Sequence, residues 1–151
     1  MVNVYLIDTS AFTYKYFYAM PQTFKIQMNA PIKKKLNITC GEELHTNALY
    51  GFACMIIKLI ENDSQATFIT CFDKGSKHRK ELLNDYKGNR KECPNELQPQ
   101  FKLIEQFLKL MGVQMCFKEG YEADDVIATL TQKYENNKDV ENIYIVSTDK
   151  D

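Results

Sequence analysis

The spacing of apolar positions along the 151-residue chain predicts an alternation of strands and helices. Four short runs rich in β-branched and aromatic residues are typical of buried strands, over residues 2–8, 66–73, 113–119 and 141–151. Apolar residues recur at helical spacing between them, over residues 9–20, 42–62, 96–112 and 126–134. Strands that alternate with helices imply βαβ units. The pattern therefore predicts an α/β protein with a mostly parallel central sheet flanked by helices.

Cap and breaker residues set the predicted boundaries of these helices. Thr9 or Ser10 is expected to cap the first helix, which ends before Pro21. Gly112 is expected to stop the helix over 96–112. The longest helical pattern, over 42–62, has its apolar positions at Leu44, Ala48, Phe52, Met55 and Leu59. Residues 21–41, with two prolines and the run Lys33–Lys35, are predicted to form a loop.

Composition places the chain among single-domain globular proteins. It is 44% hydrophobic and 26% charged, and no apolar run approaches the roughly 20 residues needed to span a bilayer. The N-terminus lacks the features of a signal peptide. The five cysteines form no CxxC pair and there are only two histidines, which argues against structural zinc. We therefore expect a cytoplasmic protein with reduced cysteines and no membrane partner.

Acidic residues follow every predicted strand, and the stretch GYEADD at 120–125 places three of them in four positions. Because the carboxyl ends of parallel strands meet at one edge of a sheet, these side chains are expected at a common rim. The set is Asp8, Asp73, Glu122, Asp124, Asp125, Asp149 and Asp151. Acidic residues also cap helices and turns, so GYEADD by itself leaves capping and a metal or catalytic site equally open.

A rim of carboxylates without histidine or thiolate favours Mg²⁺ or Mn²⁺, and two such ions among the carboxylates would make their mutual repulsion tolerable. Two ions held by carboxylates suit in-line displacement at phosphorus. The sequence thus predicts metal-dependent phosphoryl chemistry on an anionic substrate.

Residues 74–95 form a basic segment directly after the strand that ends at Asp73. It carries Lys74, Lys77, Arg79, Lys80, Lys87, Arg90 and Lys91 against only Glu81 and Asp85 before residue 92. Arg79, Tyr86 and Arg90 share a face if the segment is helical. Such cations would grip phosphates, while Tyr86 and Tyr121 would stack on bases. A solvated charged loop is the alternative.

Together, the segments YLIDTSAFTYKYFYA, TCFD, HRKELLNDYKGNRK, GYEADDVIATL and IVSTDKD resemble the 5′-3′ exonuclease domain of bacterial DNA polymerase I. That domain belongs to the 5′ nuclease or flap endonuclease family, whose fold is PIN-like. The resemblance implies that the seven acids are metal ligands and that residues 74–95 are the gateway for the DNA strand. It also implies that residues 1–151 are the N-terminal part of the domain, truncated before its helix-hairpin-helix region.

The resemblance assigns catalytic roles to Lys87, Arg90 and Arg79. The predicted DNA-binding set, which combines it with the basic and aromatic pattern, is Lys15, Lys77, Arg79, Lys80, Tyr86, Lys87, Arg90, Lys91 and Tyr121. Lys15 stands where the family usually has arginine, which weakens any bidentate phosphate contact.

The expected function is a divalent-metal-dependent 5′ nuclease that acts on DNA with a 5′ flap, or on nicked or branched duplex, in replication and repair. No nucleotide cofactor is expected. Two alternatives stay open: a DNA-binding remnant without competent metal sites, and a metal-dependent phosphatase or phosphoacceptor domain that uses one strand-end aspartate.

Overall fold

A computed structural model gives the structure of the protein, and it describes residues 1–75, 81–82 and 92–148. The elements in chain order are β1 Val2–Asp8, α1 Thr9–Ala19, β2 Lys25–Gln27, α2 Ala30–Leu36, β3 Glu43–His45, α3 Asn47–Asn62, β4 Thr67–Cys71, α4 Gln98–Met111, β5 Gln114–Cys116, α5 Ala123–Glu135 and β6 Val140–Val146. Within these residues, no helix combines the length and apolar character that a membrane span requires.

The main sheet has four strands in the order β5-β4-β1-β6, and each neighbouring pair is parallel. All four strands therefore end at the same edge, which confirms the predicted α/β architecture. The observed strands β4, β5 and β6 are shorter than their apolar runs suggested.

Both faces of the sheet are buried, which explains why the strands read as continuous apolar runs rather than as alternating patterns. Ile7 of β1 packs with α1, α3 and α4, in a cluster of Ile7, Phe12, Phe52, Ile56, Phe72, Ile104 and Leu108. Leu6, the preceding residue, points to the opposite face and packs beneath α5, in a cluster of Val4, Leu6, Ile69, Cys71, Ala123 and Ile127.

Residues 21–46 are the main correction to the sequence prediction. The expected loop at 21–41 contains β2 and α2, and Ile26 of β2 pairs antiparallel with Leu44 of β3, which lies in the stretch predicted to be helical. Asn29 caps α2, accepting a hydrogen bond from the Ile32 amide at 3.0 Å, and Asn37 ends it with a φ of 53°. A third buried cluster, of Met28, Ile38, Leu44 and Leu103, holds this excursion against α4.

Helix α3 begins at Asn47, so the prediction of a helix from residue 42 is wrong over its first five residues. The reason is a cap supplied by α4. The Gln100 side-chain oxygen accepts hydrogen bonds from the amides of Ala48 at 2.8 Å and Leu49 at 3.1 Å. These two N–H groups have no partner within their own helix, and Gln100 satisfies them from a distant part of the sequence.

Asp8, rather than Thr9 or Ser10, is the N-cap of α1, and its Oδ1 accepts from the Ala11 amide at 3.1 Å. The correction arises because β1 passes into α1 without an intervening loop, so the last strand residue is also the cap. The predicted stop at Gly112 is confirmed: its φ of 72° lies in the left-handed region that glycine adopts without strain.

Candidate active site

A cleft of about 420 Å³ lies at the carboxyl edge of the main sheet. Some lining residues belong to α1. The others come from the end of β1, from the residues after β4 and β6, and from the start of α5. The lining residues are Asp8, Ser10, Ala11, Tyr14, Lys15, Tyr18, Asp73, Glu122, Asp124 and Thr148. Four of the seven predicted acids, Asp8, Asp73, Glu122 and Asp124, are thus brought to a single cleft.

Backbone contacts hold two of these carboxylates, those of Asp8 and Asp73, in place. Asp8 is the α1 cap already described and is only 7% exposed. Asp73 Oδ1 accepts from the Ala123 amide at 2.6 Å, and its own amide donates to Ser10 Oγ at 3.2 Å. Asp73 is therefore linked to both α1 and α5, which fixes the end of β4 between the two helix N-termini.

The GYEADD run divides into two functions at the start of α5. Glu122 is the N-cap, and its side chain accepts from the Asp125 amide. Asp125 Oδ2 accepts in return from the Glu122 amide at 3.1 Å, which completes a capping box. Asp125 lines a different hollow, of about 540 Å³, while Asp124 lines the cleft. Capping therefore accounts for Asp125, whereas Glu122 both caps α5 and lines the cleft that Asp124 also lines.

The turn before α5 is tied to the first residues of the basic segment. The Gly120 amide donates to the Lys74 carbonyl at 2.8 Å, and the Lys74 amide donates to the Tyr121 carbonyl at 2.9 Å. Gly75 and Gly120 have φ values of 99° and 82°, which other residues rarely adopt. These two bonds set the base of residues 74–95 beside the acids of α5.

Of the other residues predicted to bind metal or DNA, only Lys15 and Tyr121 lie among the described residues. Lys15 lines the cleft and is exposed, whereas Tyr121 lines the hollow that contains Asp125. The remaining predicted metal and DNA-binding residues lie outside the described residues: Lys77, Arg79, Lys80, Tyr86, Lys87, Arg90, Lys91, Asp149 and Asp151. Their roles stay predictions.

Sequence reasoning missed several residues that line the cleft, namely Ser10, Tyr14, Tyr18 and Thr148. A signal for the first three was available. Ser10, Tyr14 and Tyr18 follow one another at intervals of four residues, so they share a face of any helix that begins beside Asp8.

The donor chemistry of the cleft suits hard divalent cations. Asp8, Asp73, Glu122 and Asp124 offer only oxygen, the ligand type that Mg²⁺ and Mn²⁺ prefer. Cys71 lies beside Asp8 on the adjacent strand, but burial raises the pKa of its thiol to about 12, and the charges of Cys116 and Asp8 act in the same direction. Cys71 is thus a neutral thiol. Within the described ranges, no group of three or more His, Cys, Asp or Glu residues is arranged to hold a metal ion.

Comparisons with known proteins agree on one family. Residues 3–151 match the family described as the 5′-3′ exonuclease, N-terminal resolvase-like domain. A 5′-3′ exonuclease of Aquifex aeolicus is 34% identical over 152 residues, which is 100% of this chain and 47% of that protein. A DNA polymerase I of Streptococcus pneumoniae is 37% identical over 147 residues, which is 97% of this chain and 15% of that protein.

Solved structures share the fold. A bacteriophage T5 5′-exonuclease with bound divalent metal ions (zinc) superposes with a TM-score of 0.61 at 22% identity, over 97% of this chain and 49% of that one. A T5 flap endonuclease in a pseudo-enzyme-product complex with DNA and metal ions gives a TM-score of 0.60 at 21% identity, over 98% and 49%. The chain spans about half the length of the Aquifex aeolicus relative and of these T5 proteins.

Proposed function

The chain belongs to the 5′-3′ exonuclease, N-terminal resolvase-like domain family, and from this membership we propose that it takes part in the metal-dependent hydrolysis of phosphodiester bonds in DNA that carries a 5′ single strand. Flap, nicked and branched duplexes are the proposed substrates. The observation that carries the proposal is the meeting of Asp8, Asp73, Glu122 and Asp124 in one cleft at the carboxyl edge of the sheet.

The four carboxylates that would hold the metal differ in their exposure to solvent. Asp8 and Glu122 are buried, whereas Asp73 and Asp124 are exposed. One or two divalent cations, when bound, supply positive charge for hydrolysis at phosphorus. Asp149 and Asp151, predicted from the sequence, are proposed as further ligands.

The side chains around the acids suggest how the DNA is placed. Lys15 lines the cleft and offers a cation to a phosphate beside the carboxylates. The two backbone bonds between Lys74 and the 120–121 turn hold the base of the basic segment near the same acids. Lys87 and Arg90 are proposed to neutralise charge that develops at the scissile phosphate, and Arg79 to position the strand.

The experiment is cleavage of a labelled 5′-flap DNA in Mg²⁺ or Mn²⁺, with EDTA as the metal-free reference. Asp8→Asn should preserve the cap of α1, since asparagine is as good an N-cap as aspartate, and should lower the rate about 100-fold or more. Asp63→Asn is the matched control, because Asp63 contacts Asn3 and Tyr5 outside the cleft. Equal rates for both variants would contradict the proposed site.

A DNA-binding domain without hydrolytic activity is the second candidate. It is favoured by the finding that the described residues contain no three-member metal-ligand group. Flap DNA bound with equal affinity in EDTA and in Mn²⁺, and not cleaved in either, would support this candidate over the nuclease.

A further inference from the structure

We propose that Tyr18 is a stacking platform for a base of the single strand whose phosphate lies at the acidic end of the cleft. This inference rests on the proposed function, since it requires a nucleic acid in the cleft. It adds a base-binding position that the sequence analysis did not assign.

The surroundings of Tyr18 distinguish it from an ordinary surface tyrosine. Its side chain lines the acidic cleft and is 70% exposed. Its ring meets the ring of Phe17 edge-on, with centroids 5.2 Å apart and an interplanar angle of 78°, and Phe17 is only 6% exposed. A buried neighbour therefore supports one side of the ring, while most of its surface stays open to a ligand.

The geometry of α1 sets the distance between this ring and the acids. Tyr18 follows Asp8 by ten residues along the helix, which corresponds to about 15 Å at 1.5 Å per residue. That distance covers about four nucleotides stacked at 3.4 Å. A strand with one phosphate at Asp8 would thus bring a base to Tyr18 a few nucleotides away.

Lys15 makes this path compatible with a polyanion. It lines the same cleft, lies between Asp8 and Tyr18 in sequence and is exposed. Its ammonium group can contact a phosphate between the two ends of the path. The order along α1 is thus acid, cation and aromatic ring, which matches a scissile phosphate, a flanking phosphate and a base.

Stacking and hydrogen bonding by Tyr18 can be separated with two substitutions. Tyr18→Phe keeps the aromatic face and removes the hydroxyl group, whereas Tyr18→Leu keeps apolar volume and removes the aromatic face. Tyr50→Leu is the matched control. Tyr50 is 54% exposed and makes an edge-on contact with Phe24 at 5.2 Å and 79°, but it is not among the residues that line the cleft.

The measurement is equilibrium binding of a fluorescent oligothymidylate and of an abasic strand of the same length, with Ca²⁺ in place of Mg²⁺ to limit hydrolysis. Tyr18→Leu should bind the oligothymidylate about fivefold or more weakly, because stacking on an aromatic side chain is worth at least that factor per base. Its affinity for the abasic strand should not change. Tyr18→Phe and Tyr50→Leu should match the wild type on both strands.

Three other results would overturn the inference in distinguishable ways. If the wild type binds neither strand, the proposed function fails and the inference fails with it. If the wild type binds oligothymidylate and Tyr18→Leu binds it equally well, only the platform is wrong. A loss shared by Tyr18→Leu and Tyr18→Phe would assign Tyr18 a hydroxyl contact instead of stacking.

Discussion

Asp124 and Asp125 are neighbours in sequence, yet the structure predicts opposite consequences for their removal. Asp125 accepts a hydrogen bond from the Glu122 amide at 3.1 Å within the capping box, whereas Asp124 lines the cleft. Asp124→Ala and Asp125→Ala are matched changes, because both add the same residue to the first turn of α5 and both remove one charge from its N-terminus. The helix-dipole contribution is therefore similar for the two and cancels in the comparison.

Asp125→Ala should lower the free energy of unfolding without metal by about 1 kcal/mol, the usual cost of a lost N-terminal cap. For a chain of this length, that loss lowers Tm by about 2–4 °C. Asp124→Ala should lower Tm in EDTA by less than Asp125→Ala does, because it leaves the capping box between Glu122 and Asp125 intact.

The higher Tm of Asp124→Ala relative to Asp125→Ala should disappear when metal is added. At a metal concentration ten times Kd, binding stabilises the wild type by about 1.4 kcal/mol, or roughly 3–6 °C in Tm. A tenfold weaker site in Asp124→Ala would leave about 0.4 kcal/mol of that increment. Asp125→Ala should keep the full increment above its own lower baseline.

Thermal unfolding followed by far-UV circular dichroism, in EDTA and in Mn²⁺, gives both quantities from one set of samples. The reasoning is refuted if Asp125→Ala loses the metal increment while Asp124→Ala retains it. An identical Tm for both variants in EDTA would also refute it, because the capping box would then contribute nothing.

Two further predictions concern the packing that supports α1 and α3. Gln100→Leu should lower the free energy of unfolding, measured with urea, by about 3 kcal/mol or more. It removes the bonds that Gln100 makes with the Ala48 amide at 2.8 Å, the Leu49 amide at 3.1 Å and the Asn47 side chain at 2.9 Å. The control Gln106→Leu loses a single bond to the Leu36 carbonyl and should lower the free energy of unfolding by about 1 kcal/mol. If both variants lose the same free energy of unfolding, Gln100 does not act as the cap of α3. Gly51→Ala should destabilise by about 1–3 kcal/mol, because its Cβ would lie 2.6 Å from Tyr16 Cγ. Gly41→Ala, with no atom within 4 Å of the added Cβ, should be close to neutral in the same assay.

The sequence predicted the location of the site, because the residues that follow each predicted strand include the acids that line it. The apolar runs ending near Asp8 and Asp73, and the run leading into GYEADD, placed acids at the carboxyl edge once the strands were taken as parallel. The pairing of β1 with β4 and β6 confirms that inference. The roles of individual acids were not predictable, because Asp124 and Asp125 carry the same charge and differ only in the direction of their side chains on α5.

The short strands and the helix within residues 21–46 were not predicted, for a different reason. β2 and β3 have three residues each and α2 has seven, so none is long enough to show a clear period. Leu44 fits the helical spacing of α3 as well as it fits a strand. Its pairing with Ile26 and its packing against Leu103 decided between the two.

The sequence alone therefore determined the α/β class, the parallel sheet and the edge at which the acids collect, because these depend on local periodicity and on the identity of the residues after each strand. The start of α3, the set of acids that share the cleft and the position of Tyr18 beside them are set by how the elements pack. Those outcomes depend on contacts between residues distant in sequence, such as Gln100 with Ala48 and Asp73 with Ala123. A local pattern contains no information about which distant side chain will satisfy a helix terminus, since that partner is fixed only when the elements pack.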